Sequence, residues 1–268
     1  TRSGSVTGVQ TCALPICAQI TAAISVFAAT WNRVRQHQAP VAPRMDLSHA
    51  ADYLRMAHGR LPSAEQAATL NAYFVTLAEH DLMASTFVAR VIASTNADAL
   101  SSVVGALGAL KGSAHGGAIA PVLEMIRAVG TPERAIHWVR AQLNSGQRVI
   151  GMGHRVYRTR DPRATALELV LTTLQGAGHS IAALGVARAI EKGMQDALTE
   201  RGSEKRIAAN VELFAAVLLD HLEFAPELFT ATYAVSCVAG WLAHYDEQLR
   251  AKRLIRPRSR YVGRLASE

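Results

Sequence analysis

Charge is scarce in this sequence. Only 18% of the residues are charged, against roughly a quarter in an average soluble domain. Half are apolar, which excludes a disordered chain, because so much apolar surface can be buried at a gain. Glycine (19) and proline (9) are too few among 268 residues for a collagen-like or low-complexity chain. Long apolar runs are missing too. No uninterrupted apolar run approaches the ~20 residues that a membrane span needs, so no membrane association is expected. Cysteine is scarce too: Cys12, Cys17 and Cys237 have neither metal-ligand spacing nor a disulfide framework. That usage fits a reducing compartment, and a cytoplasmic location is expected, with no metal site.

What is present is a basic excess, +7 at neutral pH, which calls for an anionic partner. Nucleic-acid surfaces interleave basic and aromatic residues in one stripe. Here the arginines are scattered, with one denser stretch from Arg250 to Arg260 that reads equally well as a solvated tail. A nucleic-acid partner is not expected.

The chain length suits one large domain or two moderate ones. Residues 1–17 follow no helical or strand period that leads into the rest. The stretch Gly8-Val9-Gln10-Thr11-Cys12-Ala13-Leu14-Pro15-Ile16 resembles translated read-through of a sequencing adaptor. It lacks the basic segment and long apolar segment of a signal peptide. These residues are expected to be a non-native leader, with the native start missing.

From residue 18 the period is helical almost throughout. Ser63-Ala64-Glu65-Gln66 is a capping-box pattern, in which Gln66 reaches back to the Ser63 amide. Leu100, Val103, Val104, Leu107 and Leu110 recur at three- and four-residue steps before Gly112. Thr131-Pro132-Glu133 reads as an N-cap, a first-turn proline and a first-turn acid, and Asp161-Pro162 opens a helix in the same way. A long helix from Phe229 to His244 carries Ala234, Ser236, Ala239 and Gly240, small residues that permit close helix packing. Alternating stretches of strand length are nearly absent. The expected fold class is all-α. No Gly-, Ser- or Pro-rich linker divides the chain, so any second domain must be an insertion.

Four polar clusters lie at predicted helix ends. Ser113-Ala114-His115-Gly116-Gly117 places a histidine at the start of a helix, where the dipole lowers its pKa and keeps it neutral. A neutral imidazole can hydrogen-bond an oxygen that is gaining negative charge. Gly151-Met152-Gly153-His154-Arg155-Val156-Tyr157-Arg158, followed by Asp161-Pro162-Arg163, puts another histidine on a glycine-flanked loop near cations. That combination suits an anionic substrate whose carbonyl must be protonated, although Arg158 and Arg160 read equally as solvent-exposed. Asn210-Val211-Glu212 supplies a carboxylate at a helix start, which alone reads as an ordinary favourable acid. Leu254-Ile255-Arg256-Pro257 holds a cation next to a rigid proline.

In order, these segments resemble the citrate synthase family from about residue 20 to 263. His80-Asp81-Leu82-Met83-Ala84-Ser85-Thr86-Phe87 and Gly240-Trp241-Leu242-Ala243-His244 complete the resemblance. It implies an all-helical homodimer with a large domain and an inserted small domain that closes over substrates. The boundaries would be 18–115 for the first part of the large domain, 116–217 for the small domain and 218–268 for the return. It further implies condensation of acetyl-CoA with oxaloacetate to give citrate and CoA, with acetyl-CoA as co-substrate and no permanently bound cofactor. By that resemblance His115 would hydrogen-bond the thioester oxygen, His154 would protonate the ketone, and Glu212 would remove the methyl proton. His80 and Arg163 would hold oxaloacetate, Arg256 would reach in from the partner subunit, and Arg158 would meet the CoA phosphates. The basic excess then matches a dianionic substrate and the CoA phosphates.

Two departures from the family pattern stand out. The usual base is Asp, whereas Glu212 is one methylene longer. The family also places an Arg shortly before Gly-Trp to hold a substrate carboxylate, and this chain has Cys237 there. Ala209 replaces a common proline, and Ala118-Ile119-Ala120 replaces a more polar continuation. Alternatives within the resemblance are a 2-methylcitrate synthase, a citryl-CoA lyase, or a non-catalytic paralogue that binds CoA or a dicarboxylate.

Overall fold

The computed structural model describes residues 7–263, with side chains from residue 15. Among these residues the regular structure is helical: α1 (Thr7–Arg35), α2 (His49–His58), α3 (Ala64–Leu77), α4 (Ala84–Ala93), α5 (Ala99–Leu110), α6 (Ile119–Val129), α7 (Ala135–Asn144), α8 (Pro162–Gly176), α9 (Ala182–Glu200), α10 (Val211–His221) and α11 (Phe229–Ala251). The all-α expectation holds. The nearest approach to a sheet is one isolated antiparallel bridge, Met152 to Ala209. No helix among the described residues is long and apolar enough to cross a membrane.

Local chemistry sets most helix starts. The Ser63 hydroxyl accepts from the Gln66 amide while the Gln66 side chain accepts from the Ser63 amide, both at 3.0 Å. Asp98 and Asp161 cap α5 and α8 through their carboxylates. Thr131 does not cap in the expected way. A 3-10 turn over Pro132–Arg134 precedes α7, and the Thr131 hydroxyl engages the Glu133 carboxylate instead.

Helix α1 corrects the expectation for the chain start. It begins at Thr7 and runs through Pro15, so residues 7–17 are helical rather than irregular. Residues 1–6 lie outside the described residues. A packed helix extends cheaply at its end, because each added residue gains one hydrogen bond. Buried Ser25, Ala28, Ala29 and Asn32 anchor α1, and Asn32 donates to the Ala57 carbonyl of α2 at 3.3 Å.

Helix α11 is the axis of one group of helices and packs on α1, α3, α4 and α5. Gly240 makes its approach to the end of α3 possible: a Cβ there would stand 2.0 Å from the Ala78 carbonyl oxygen. Helices α6 to α10 pack chiefly on one another, with every residue of α10 from Leu213 to Leu219 buried. Full burial of a Leu, Val or Phe side chain contributes about 1.5–3 kcal/mol, so α10 anchors its group strongly. The polar clusters lie at helix ends: residues 113–117 between α5 and α6, where the two groups join, 151–163 between α7 and the first turn of α8, 210–212 at the start of α10, and 254–257 after α11.

Candidate active site

Two loop segments lie side by side. The Gly153 amide donates to the Ala208 carbonyl at 2.8 Å, and the Asn210 amide donates to the Gly151 carbonyl at 3.0 Å. Gly151 and Gly153 both adopt positive φ, 74° and 79°, a conformation that a side chain would strain. This pairing brings the His154 loop against the start of α10, where Glu212 sits.

His154 is held in one tautomer. Its Nδ1 accepts from the Val156 and Tyr157 amides at 3.0 and 3.2 Å, so the proton of the neutral ring is on Nε2. Burial, with Arg163 nearby, pushes its pKa down. His80, in the segment after α3, meets His154 edge-on with ring centroids 5.2 Å apart. Its Nε2 lies 3.0 Å from the Tyr157 hydroxyl. Burial and the Arg163 charge lower the His80 pKa as well. Both rings are therefore neutral hydrogen-bonding groups at pH 7.

Arg163 and Asp161 form the charged centre. Asp161 is fully buried and Arg163 is 9% exposed. Asp161 also accepts from the amides of Arg163 and Val211, which ties the start of α8 to the start of α10. Burial alone would raise the Asp161 carboxyl, but the Arg163 fork and these amides hold it below its ordinary value. The Tyr233 phenol of α11 adjoins the guanidinium. Glu212 behaves oppositely. Burial raises its carboxyl to about 7, outweighing the opposing influence of Arg163 and an Asn210 hydrogen bond. A helix-start position ordinarily favours the ionised acid, so at Glu212 desolvation wins.

His115 closes the cluster from the other side, with its ring edge-on to Tyr233 at 6.0 Å. It precedes a 3-10 turn, Gly116–Ala118, rather than α6 itself. Burial, then the nearby Arg163 charge, lowers its pKa. Its Nε2 lies 2.9 Å from the Ser85 hydroxyl of α4, and Ser85 in turn accepts from the Trp241 indole at 3.1 Å. A Cβ at Gly116 would fall 2.9 Å from Leu110, so only glycine lets the chain turn there.

The fold thus brings together His80, His115, His154, Arg163 and Glu212 from the predicted set. Ser85, Tyr157, Asp161 and Tyr233 join them. Ser85 and Tyr157 lay inside recognised motifs, but their contacts depend on packing between distant segments. Arg158 and Arg256 stand apart. Both are exposed, and among the described residues Arg256 reaches the Pro257 carbonyl, at 3.4 Å. Arg160 is not simply solvent-exposed, since it pairs with Glu168 and Glu191 and lies over the Phe214 ring. Cys237 is fully buried, with Sγ 3.4 Å from the Leu77 carbonyl, and burial pushes its thiol pKa up. A cavity of about 240 Å³ lies elsewhere, lined by Trp31, Leu107, Leu110 and Ala234 among others, and contains none of the predicted residues. Among the described residues no three His, Cys, Asp or Glu side chains are placed to hold a metal ion.

Chemically, the cluster joins a carboxylate that titrates near neutrality to neutral imidazoles and one buried guanidinium. Such a set can remove a proton beside a carbonyl while hydrogen bonds stabilise the enolate. Comparison with known proteins agrees with this composition. A family profile described as citrate synthase, C-terminal domain, matches residues 9–258. Citrate synthase 2 of Bacillus subtilis is 37% identical over 248 residues, covering 91% of this chain and 64% of that protein. Citrate synthase of Haloferax volcanii is 39% identical over 246 residues, covering 91% and 63%. The chain therefore spans a little under two thirds of the length of these curated relatives. Among solved structures, citrate synthase from Thermoplasma acidophilum, solved as a ternary complex with carboxymethyl coenzyme A and oxaloacetate, superposes with a TM-score of 0.84 at 29% identity, covering 94% of this chain and 67% of that one. The Thermotoga maritima citrate synthase gives 0.79 at 37% identity, covering 91% and 66%. The match to the family profile extends over nearly the whole chain, and this protein belongs to the citrate synthase family.

Proposed function

We propose that the protein condenses acetyl-CoA with oxaloacetate to give citrate and CoA. One observation carries this reading: a carboxyl with a pKa of about 7, Glu212, shares a buried cluster with neutral His115 and His154 around Arg163. Glu212 takes a proton from the acetyl methyl group while His115 hydrogen-bonds the thioester oxygen. A thioester methyl is a very weak acid, so both must act together. The enolate carbon then attacks the oxaloacetate ketone, and the new alkoxide takes the proton that His154 carries on Nε2. Water cleaves the thioester and releases CoA. Arg163 and His80 hold the dicarboxylate, the planar fork of Arg163 matching a carboxylate.

The working form is proposed to be a homodimer whose small domain, residues 116–217, closes on the larger part. Support comes from α5, where Leu100 and Val104 are 59% and 58% exposed on one face and a Cβ at Gly108 would meet nothing within 4 Å. Such a face suits a second helix. Arg256 would then enter the partner's site, and exposed Arg158 would meet the CoA phosphates. The unpaired Cys17 and Cys237 agree with a cytoplasmic setting.

The test is His154→Ala. Loss of oxaloacetate-dependent thiol release supports His154 as the ketone acid, and unchanged release removes it from that role.

A further inference from the structure

Glu191 lies in α9 and belongs to none of the motifs at the site. Its side chain is nevertheless turned inward, 17% exposed, and its carboxylate serves donors from two separate segments. Arg160 grips it with Nε on Oε1 and Nη2 on Oε2, both at 2.9 Å. Oε1 also accepts from the Ala209 amide at 3.0 Å. Ala209 is 1% exposed, so its N–H needs a partner within the protein. The bridge to Met152 cannot supply one. That bridge uses the Ala208 carbonyl and the Asn210 amide, and in an antiparallel pair the polar groups of the residue between them point the other way. On that other side the Ala209 carbonyl accepts from the Asp161 amide at 3.3 Å.

These contacts close a ring. Arg160 and Asp161 are neighbours in the chain. The side chain of the first reaches Ala209 through Glu191, and the amide of the second reaches Ala209 directly. Arg163 follows closely on one arm of the ring and Glu212 on the other. We infer that Glu191 is a positioning residue that fixes Glu212 relative to Arg163, by holding the Ala209 peptide against the Arg160–Asp161 segment. Arg163 keeps its pairing with Asp161 whatever Glu191 does, because that contact is local to the start of α8. Glu212 depends on the ring, since Asn210, next to Ala209, caps its helix by accepting from the Glu212 amide at 3.0 Å. A proline at residue 209 would carry no N–H. Alanine adds a buried donor there, and Glu191 is its acceptor.

The inference rests on the condensing reading for its effect on rate, whereas the titration of Glu212 reports it independently. The experiment compares the native chain with Glu191→Leu and with Glu191→Leu/Ala209→Pro. Thiol release from acetyl-CoA and oxaloacetate is measured for each, and the Glu212 carboxyl is titrated by carbon-13 NMR. Leucine removes the acceptor, while Arg160 keeps its bond to Glu168. In Glu191→Leu, kcat should fall about thirtyfold with KM for oxaloacetate within about threefold, since misplacement by about 1 Å costs up to about a hundredfold. Glu212 should titrate below its native value of about 7, as water reaches the loosened carboxyl. Adding Ala209→Pro removes the stranded N–H and holds φ in the extended range, and should restore kcat to within about threefold of native and return the titration with it. If Glu191→Leu does not fold, Glu191→Asp keeps a charge for Arg160 but falls a methylene short of the Ala209 amide, and the same split is expected. Unchanged kcat and titration, a loss carried by KM instead, or no recovery on adding Ala209→Pro overturns the inference. A native chain without thiol release, whose Glu212 titration still drops in Glu191→Leu and recovers with Ala209→Pro, counts against the condensing reading and supports the inference.

Discussion

Asp161 binds two of the three guanidinium nitrogens of Arg163, Nε at 3.2 Å and Nη2 at 2.8 Å, and leaves Nη1 buried without a hydrogen-bond partner. A buried, unmatched N–H is costly in the free protein, and a substrate carboxylate removes that cost. Arg163→Lys keeps the charge but loses the fork that can serve Asp161 and a ligand at once. Calorimetric titration with oxaloacetate should show affinity weakened about tenfold or more. Equal affinity in the two proteins would place the carboxylate elsewhere.

Glu212 predicts the pH dependence. As the base it must be ionised, so thiol release should climb as pH rises through about 7 and level off above. Its folded pKa lies above the ordinary value, so the folded state holds the proton more tightly than the unfolded chain does. That contribution to stability is complete below about pH 4.5 and is lost as pH rises through about 7. Glu212→Gln should abolish turnover and remove the loss, gaining up to about 3 kcal/mol on the native protein between pH 5 and pH 8. Denaturant unfolding at both pH values measures this, and parallel pH profiles for the two proteins would contradict it.

Cys237 leaves the middle of α11 uncharged where the family pattern has Arg. Cys237→Arg should tighten oxaloacetate binding about tenfold, since a charge-assisted hydrogen bond contributes roughly 1.5–3 kcal/mol. The same variant should unfold at a lower temperature without ligand, because it buries an unpaired cation. The rise in Tm on adding oxaloacetate should exceed that of the native protein. An identical rise would mean that the carboxylate does not come near this position.

Gly240 is a purely structural prediction. Gly240→Ala puts a methyl group 2.0 Å from the Ala78 carbonyl oxygen, and neither backbone can yield without separating α11 from α3. Overpacking of this kind costs about 1–3 kcal/mol, read as a lowered midpoint in urea. Unchanged stability would show that the two helices do not pack as described.

Fold class was legible in the sequence, because helical periodicity and caps such as the Ser63–Gln66 box act over a few residues and need no tertiary context. The start of the chain was not. Residues 7–17 carry a proline and no clear period, and they extend a helix whose anchoring lies in the next turns. His80, His154, Arg163 and Glu212 were legible because each sits in a compact motif at a helix end. Ser85 was not, since its contact with His115 and Trp241 joins three segments far apart in sequence. The Glu212 pKa was also hidden: a helix-start acid looks ordinary until burial by α10 and its neighbours is known.

The most direct test of the whole account is thiol release from acetyl-CoA by the purified protein, with and without oxaloacetate, with citrate measured in the same samples. The account predicts release that requires both substrates, matches citrate mole for mole, and disappears in Glu212→Gln. Release that ignores oxaloacetate, or that persists in Glu212→Gln, would contradict it.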